Sequence, residues 1–370
     1  MRVPVNEPVI TDAAKKYVAD AMKSGWISSA GTYIQKFEEE FAAFVGTEHA
    51  ITTTSGTSAL HLALCTLRVG KGDEVILPNL TMGACLDAVL YTGATPVLVD
   101  VEPDTFNIDP KQIESHISGK TKVIMAVHLF GHSADMDPIL SIADQHDIAV
   151  VEDAAEVHGG TYYGRKCGSM GAISCFSFYG NKLITTGEGG MITTSDSTLA
   201  ERARRLRDLA HDPARRFWHT EMGFNYRMTN LQAALGLGQL ESVSTFLAHK
   251  KWMGEQYAEK LSDIEWLRLP VTREGVENIY WMYMVLVENG APFSRNKLRL
   301  KLKERGIDTR DMFYQLSDQP FSKTARKDAA YPVSEDISKR GFYLPSGLAL
   351  SQEQLDYVCD ALHDIFSAMQ

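Results

Sequence analysis

Residues 150–191 read VVEDAAEVHGGTYYGRKCGSMGAISCFSFYGNKLITTGEGGM, and this stretch decides the fold. Val150-Val151-Glu152-Asp153 is an apolar run that ends in two acids. Ser174 to Tyr179 and Gly190 to Thr194 read as two further strands. They flank a polar turn, Gly180-Asn181-Lys182, and the glycine-rich Gly187 to Gly190. Short apolar runs of this kind, separated by helical patterns, make a mostly parallel sheet with helices on both faces. Ligands of such sheets bind beyond the carboxyl ends of the strands. Asp153 and Lys182 both stand at such ends.

Upstream, the same alternation continues. Ala50 to Thr53, Glu74 to Leu77, Thr95 to Val99, Lys122 to Val127 and Ile148 to Val151 read as strands. Thr57 to Leu67 and Asp135 to Gln145 read as helices. Downstream, Met228 to Phe246 and Ala248 to Leu261 read as long helices. After about Ile264 the pattern changes: a strand over Tyr280 to Val287, a helix over Ser294 to Arg305 and a last helix over Ser351 to Met369 predict a smaller α+β lobe. The expected division is a large α/β domain over residues 1–250 and a small C-terminal α+β domain over residues 251–370.

Composition narrows the function. The chain has 370 residues, 44% hydrophobic and 23% charged, which is ordinary globular usage and too long for one small core. A formal net charge of −10 argues against nucleic acid as a partner, but it leaves room for a phosphorylated small molecule held by a few local donors. No run is long and apolar enough to span a bilayer, and the first residues, MRVPVNEPVITDAAKKYV, have no apolar signal core. The expectation is a cytoplasmic protein with no membrane partner. Five cysteines, Cys65, Cys85, Cys167, Cys175 and Cys359, form no CxxC pair and read as reduced, mostly buried thiols.

Three features together carry a chemistry. A pyridoxal 5'-phosphate (PLP) enzyme needs a lysine amine for the cofactor aldehyde and a carboxylate for the ring nitrogen. Lys182 and Asp153 supply both. Alone, Asp153 would read as a helix cap and Lys182 as a solvated surface lysine. Ser55-Gly56-Thr57-Ser58, between a strand and an apolar helix, places backbone amides and hydroxyls at a helix N-terminus, a phosphate cup or a plain N-cap. No Gly-Lys-Ser/Thr follows it, and no GxGxxG follows a strand, which weakens P-loop and nicotinamide readings. His128 and His132 lie four apart but follow a strand and flank a glycine, so no metal site is expected.

The chain resembles the DegT/DnrJ/EryC1/StrS sugar aminotransferases, which are fold-type I PLP enzymes, over nearly its whole length. The resemblance rests on Gly25 to Ser29, Tyr33 to Glu38, Ser55-Gly56-Thr57, His61 to Leu64 and Gly72 to Val75. It continues through Glu152 to Glu156, Phe176 to Lys182, Thr185 to Met191 and Asn225 to Asn230. It implies an α/β fold built on a mostly parallel seven-stranded sheet flanked by helices, with a smaller α+β C-terminal lobe. It implies Lys182 as the residue that holds the cofactor covalently and moves the proton, and Asp153 as the partner of the ring nitrogen. It implies Gly56, Thr57 and Ser177 on the phosphate, joined by Asn225 from the other subunit of a homodimer. Glu156 stands where many members have Gln, near the ring's phenolic oxygen, which predicts a raised carboxyl pKa. Met82 stands where members commonly place an aromatic over the ring. L-Glutamate would be the amino donor, and pyridoxamine phosphate the amino-carrying form.

Trp26 to Ser29, His128 to His132 with Asp135 to Asp137, Phe217 to His219, and Thr309-Arg310 with Phe313-Tyr314 resemble the branch that aminates C4 of GDP-4-keto-6-deoxymannose. Ser29, Trp218, His219 and Arg310 are then expected around the nucleotide sugar, with Arg310 suited to the diphosphate. Asn278, in place of a common His, and Asp311 to Ser317, in place of a Pro- and His-containing stretch, depart from the pattern. A UDP- or dTDP-linked 3- or 4-keto-6-deoxysugar is the neighbouring alternative. Sugar dehydratases of this type carry His where Lys182 stands. A non-catalytic PLP-binding regulator would be expected to have lost Lys182, Asp153 or the cup.

Overall fold

The computed structural model describes residues 1–212, 214–328 and 330–368. Two helices come first, α1 (Asp12–Ser24) and α2 (Thr32–Val45). Strands and helices then alternate as β1 (His49–Thr53), α3 (Gly56–Thr66), β2 (Glu74–Pro78), α4 (Gly83–Thr92), β3 (Thr95–Val99), α5 (Pro110–His116), β4 (Thr121–Val127), α6 (Met136–Gln145) and β5 (Ala149–Asp153). Short strands β6 (Thr161–Tyr162) and β7 (Arg165–Lys166) lead to β8 (Ile173–Ser177), β9 (Gly190–Thr194) and α7 (Ser197–Arg207). The hairpin of β10 (His211–Asp212) and β11 (Arg215–His219) precedes α8 (Asn230–Leu240) and α9 (Val243–Leu261). The rest is β12 (Leu267–Arg268), β13 (Val276–Glu277), β14 (Met284–Val287), α10 (Arg295–Glu304), β15 (Arg310–Asp311), α11 (Pro332–Arg340), β16 (Gly341–Tyr343) and α12 (Gln352–Ser367).

The central sheet has seven strands in the order β1-β9-β8-β5-β4-β2-β3. β9 alone runs against the others, pairing antiparallel with both β1 and β8. Side chains alternate between two cores, as the twofold repeat of a strand requires. Val75 and Leu77 face the core shared with α2, α3 and α4, while Ile76 faces the one beneath α5 and α6. Val123, Met125 and Val127 alternate with Ile124 and Ala126 in the same way. Both faces are covered, so these strands are apolar throughout.

A four-stranded antiparallel sheet, β12-β14-β16-β15, forms a separate core with α10, α12 and the later part of α9. Val3 joins that core and bridges to Ile307. Residues near Arg326 return to the edge of the large sheet, where Arg326 pairs with Glu74 at 3.0 Å and bridges to Val97. Among the described residues no helix is long and apolar enough to cross a membrane.

Some boundaries differ from expectation. The expected break between the long helices, near Leu247, lies at Glu241–Ser242, and α9 runs unbroken from Val243. The strand expected from Tyr280 begins only at Met284, because Tyr280 is left-handed (φ 46°). β8 ends at Ser177, two residues early. The expected helix end at Met369 lies outside the described residues.

Lys250 on α9 is fully buried, and among the described residues its ammonium is bonded only by carbonyls, with burial the sole cause of its shift. Its Nζ donates to the carbonyls of Trp281, at 2.7 Å, and Ser346. Burial pulls its pKa down to about 7, from an ordinary 10.5. Between those values the unfolded chain binds the proton and the folded chain does not, so stability rises with pH across that window. This group's share is about 1.4 kcal/mol per pH unit at most. Urea unfolding from pH 6.5 to 9.5 should show that slope in the parent and lose it in Lys250→Met; equal slopes in the two proteins would rule it out.

Candidate active site

Three strand ends converge on one cavity of about 400 Å3. β1 leads through Ser55 into α3, β5 ends in Asp153, and β8 ends in Ser177 before the turn that carries Lys182. That turn is closed by the Lys182 amide donating to the Tyr179 carbonyl at 2.9 Å.

At α3 the cap and the cup coexist. Ser55 Oγ accepts from the Ser58 amide at 3.1 Å, and Ser58 Oγ accepts from the Ser55 amide at 2.9 Å, which is a capping box. The two serines therefore satisfy each other. Among the described residues nothing accepts from the amides of Gly56 and Thr57, which remain available at the positive end of the helix. Ser177 stands beside them: a Cβ on Gly56 would lie 2.8 Å from the Ser177 Cβ, so only glycine allows this approach.

Lys182 Nζ lies 3.4 Å from Glu156 Oε1 and 3.9 Å from the centroid of the Trp281 ring. The carboxylate and the ring face both attract an ammonium. The Trp281 indole donates to the Asn181 carbonyl at 2.9 Å, which fixes the ring. Glu156 Oε2 accepts from the Phe130 amide at 2.9 Å. Burial pushes the Glu156 carboxyl up, more strongly than the Lys182 charge and the Phe130 amide pull it down, and Asp153 adds to the rise. The shift here is upward and comes from burial; the cofactor's phenolic oxygen, the cause expected from sequence, plays no part in it. Phe130 stacks on Trp281 and Phe313 with ring centroids 6.2 and 5.6 Å apart. Gly131 permits the close passage, since a Cβ there would meet the Trp281 amide at 2.7 Å.

Asp153 is buried, and both its oxygens have donors. Oδ1 accepts from the Ala155 amide at 3.1 Å, and Oδ2 from the Cys85 thiol at 3.0 Å. Met82 caps the start of α4, half exposed, on the cavity wall. Arg310, exposed on β15, also lines it.

Ser29, Asn225, Trp218 and His219 do not line this cavity. All four are exposed; Trp218 and His219 stand on the β10–β11 hairpin, where His219 Nδ1 pairs with the Leu209 carbonyl at 2.7 Å. Asn278 is also away from the cavity and accepts from the Tyr280 amide. Asp311 pairs with Arg299 and Arg295. His128 bonds Glu152 and the Ala134 amide, and His132 bonds the Ser133 carbonyl and the Arg273 amide, so their ring nitrogens are engaged. Sequence reading missed Trp281, Tyr343, Phe130 and Cys85 as parts of the site. Trp281 and Tyr343 lie in apolar runs that read as core, and no local signal marks any of the four.

The donor set fits a phosphorylated pyridine aldehyde. Open amides and a hydroxyl at a helix N-terminus suit its phosphate, an amine suits its aldehyde, and a buried carboxylate suits its ring nitrogen.

Comparison with known proteins gives the same picture. The sequence model of the DegT/DnrJ/EryC1/StrS aminotransferase family matches residues 8–363. The GDP-perosamine synthase of Caulobacter vibrioides is 44% identical over 369 residues, covering 98% of each chain. That of Escherichia coli O157:H7 is 41% identical over 365 residues, covering 99% of each. Among solved structures, DesV of Streptomyces venezuelae, crystallised with a ketimine intermediate, superposes with a TM-score of 0.91 at 34% identity and 98% coverage of both chains.

Proposed function

The chain belongs to the DegT/DnrJ/EryC1/StrS aminotransferase family, and on that premise we propose that it moves the amino group of L-glutamate to C4 of GDP-4-keto-6-deoxymannose, giving GDP-perosamine. It is a PLP-dependent sugar aminotransferase. What carries the reading is Lys182 and Asp153 facing one cavity in a chain matched end to end by two GDP-perosamine synthases.

PLP, when bound, supplies an electron sink and carries the amino group between the two substrates. The chain's own groups do the rest. Gly56, Thr57 and Ser177 would hold the phosphate, and Asp153 would face the ring nitrogen as the carboxylate that favours a proton there. Glu156, whose carboxyl burial pushes up, would donate to the phenolic oxygen. Met82, on the cavity wall, would offer its thioether to the ring. Lys182 would bind the aldehyde and, once released by the amino donor, move the proton that each half-reaction transfers, with glutamate leaving as 2-oxoglutarate and the ketone becoming an amine.

Arg310, on the cavity wall, is assigned to the diphosphate. Asn225 is assigned to the cofactor phosphate of the other subunit in a homodimer, and Ser29, Trp218 and His219 are assigned to the nucleotide sugar; none of the four lines the cavity of its own subunit. Exposed Met82 and Tyr179 at the cavity, with Tyr91, Trp218 and Met222 elsewhere, support an apolar subunit interface. For the lobes we keep the division at 250/251, with α9 spanning it. The five free, largely buried thiols suit the cytoplasm.

The test is direct. Purified protein is incubated with PLP, glutamate and GDP-, UDP- and dTDP-linked 4-keto-6-deoxysugars, and products are read by mass. An aminated GDP sugar formed at least about tenfold faster than the others is expected, equivalent to about 1.4 kcal/mol of discrimination. Product only from a dTDP or UDP sugar would reassign the nucleotide.

A further inference from the structure

We infer that Cys85 is a positioning residue for Asp153: its thiol holds the carboxylate in the orientation that the cofactor's ring nitrogen needs. This rests on the reading that Asp153 binds that nitrogen.

Cys85 lies in the first turn of α4 and is completely buried. Its Sγ is 3.0 Å from Asp153 Oδ2, short for a thiol donor. Thr81, at the end of the loop after β2, places its hydroxyl 3.8 Å from the same sulfur. The other carboxylate oxygen is held by the Ala155 amide at 3.1 Å. Two donors, one from α4 and one from the loop after β5, therefore fix the carboxylate plane. Each oxygen keeps a lone pair for a further donor. Burial and the neighbouring Asp153 push the thiol's pKa well above its ordinary value, so it stays a donor at any working pH. A buried carboxylate with one donor removed can turn about its Cβ–Cγ bond, and a charged hydrogen bond weakens steeply with misalignment.

Three proteins test this: parent, Cys85→Val and Cys85→Ser. In the cofactor-free parent, the infrared S–H stretch should include a red-shifted, hydrogen-bonded band that Cys85→Val removes and Asp153→Ala moves to higher frequency. With PLP bound, the glutamate half-reaction, followed as conversion of the visible band, should slow about tenfold in Cys85→Val with an unchanged KM for glutamate. Cys85→Ser restores a donor and should recover to within about threefold. Circular dichroism melting checks that each variant is folded. A Cys85 S–H band that ignores Asp153→Ala, a folded Val variant as fast as the parent, or a folded Ser variant as slow as Val would each overturn the inference alone. A parent that forms no visible band with PLP would overturn the cofactor reading as well.

Discussion

Replacing Lys182 with alanine should lower the rate of sugar amination by about a thousandfold or more, the contribution of a positioned proton carrier that also anchors the cofactor. The reason is geometric. Lys182 Nζ lies 3.4 Å from Glu156 and 3.9 Å from the Trp281 ring, and among the described residues no other lysine lines the cavity. The variant should still bind PLP through Gly56, Thr57 and Ser177, because none of them depends on the lysine for its position. It should lose the visible band of the covalently held cofactor. Absorbance without added amine, together with mass-resolved product, decides it. A band that persists would mean that Lys182 is not the anchor. Folding should survive, since the substitution leaves Glu156 with the Phe130 amide still donating to it.

Asp153→Asn should separate anchoring from catalysis. The amide is nearly the same size and still offers Oδ1 to a donor, so the visible band should remain and the protein should fold. Turnover should fall about a hundredfold, because a neutral amide no longer stabilises a proton on the ring nitrogen. Single-turnover reaction with glutamate measures this without any sugar. Turnover within a few-fold of the parent would remove Asp153 from its assigned role. The two variants have distinct signatures: Lys182→Ala loses both band and rate, and Asp153→Asn loses rate alone.

Much of this site was readable because its residues sit at strand ends. Asp153 closes an apolar run, Lys182 follows another, and the sheet brings such ends together whatever the loops between them do. Ser55 to Ser58 looked like either a cap or a cup, and geometry shows why: two serines make the cap while the intervening amides stay open. What could not be read depends on distance in the chain. Cys85 meets Asp153 across 68 residues, and Trp281 meets the Asn181 carbonyl across 100. Neither pairing leaves a local pattern. The helix break at Glu241–Ser242 was hidden by Leu240, Val243, Phe246 and Leu247, whose helical spacing runs straight across it. The left-handed Tyr280 was hidden because tyrosine is not a residue that turns advertise.

The placement of residues 3–6 has a consequence for the order in which the molecule can be made. Val3 is paired with Ile307, the Val5 carbonyl takes the Ser346 amide, and Asn6 donates to the Asn181 carbonyl at 3.2 Å. The turn that bears Lys182 is thus braced by a segment that itself is braced by residues more than 300 positions later. During synthesis, which delivers the chain from its N-terminus onward, residues 3–5 must wait for Ile307 and Ser346 before they find these partners. The central sheet can form early from neighbouring strands. The lysine turn reaches its final setting only when the ring from residue 3 to residue 346 closes, a contact of high sequence separation and correspondingly slow formation. Covalent capture of the cofactor by Lys182 is therefore expected to follow the pairing of residues 3–6 with Ile307 and Ser346.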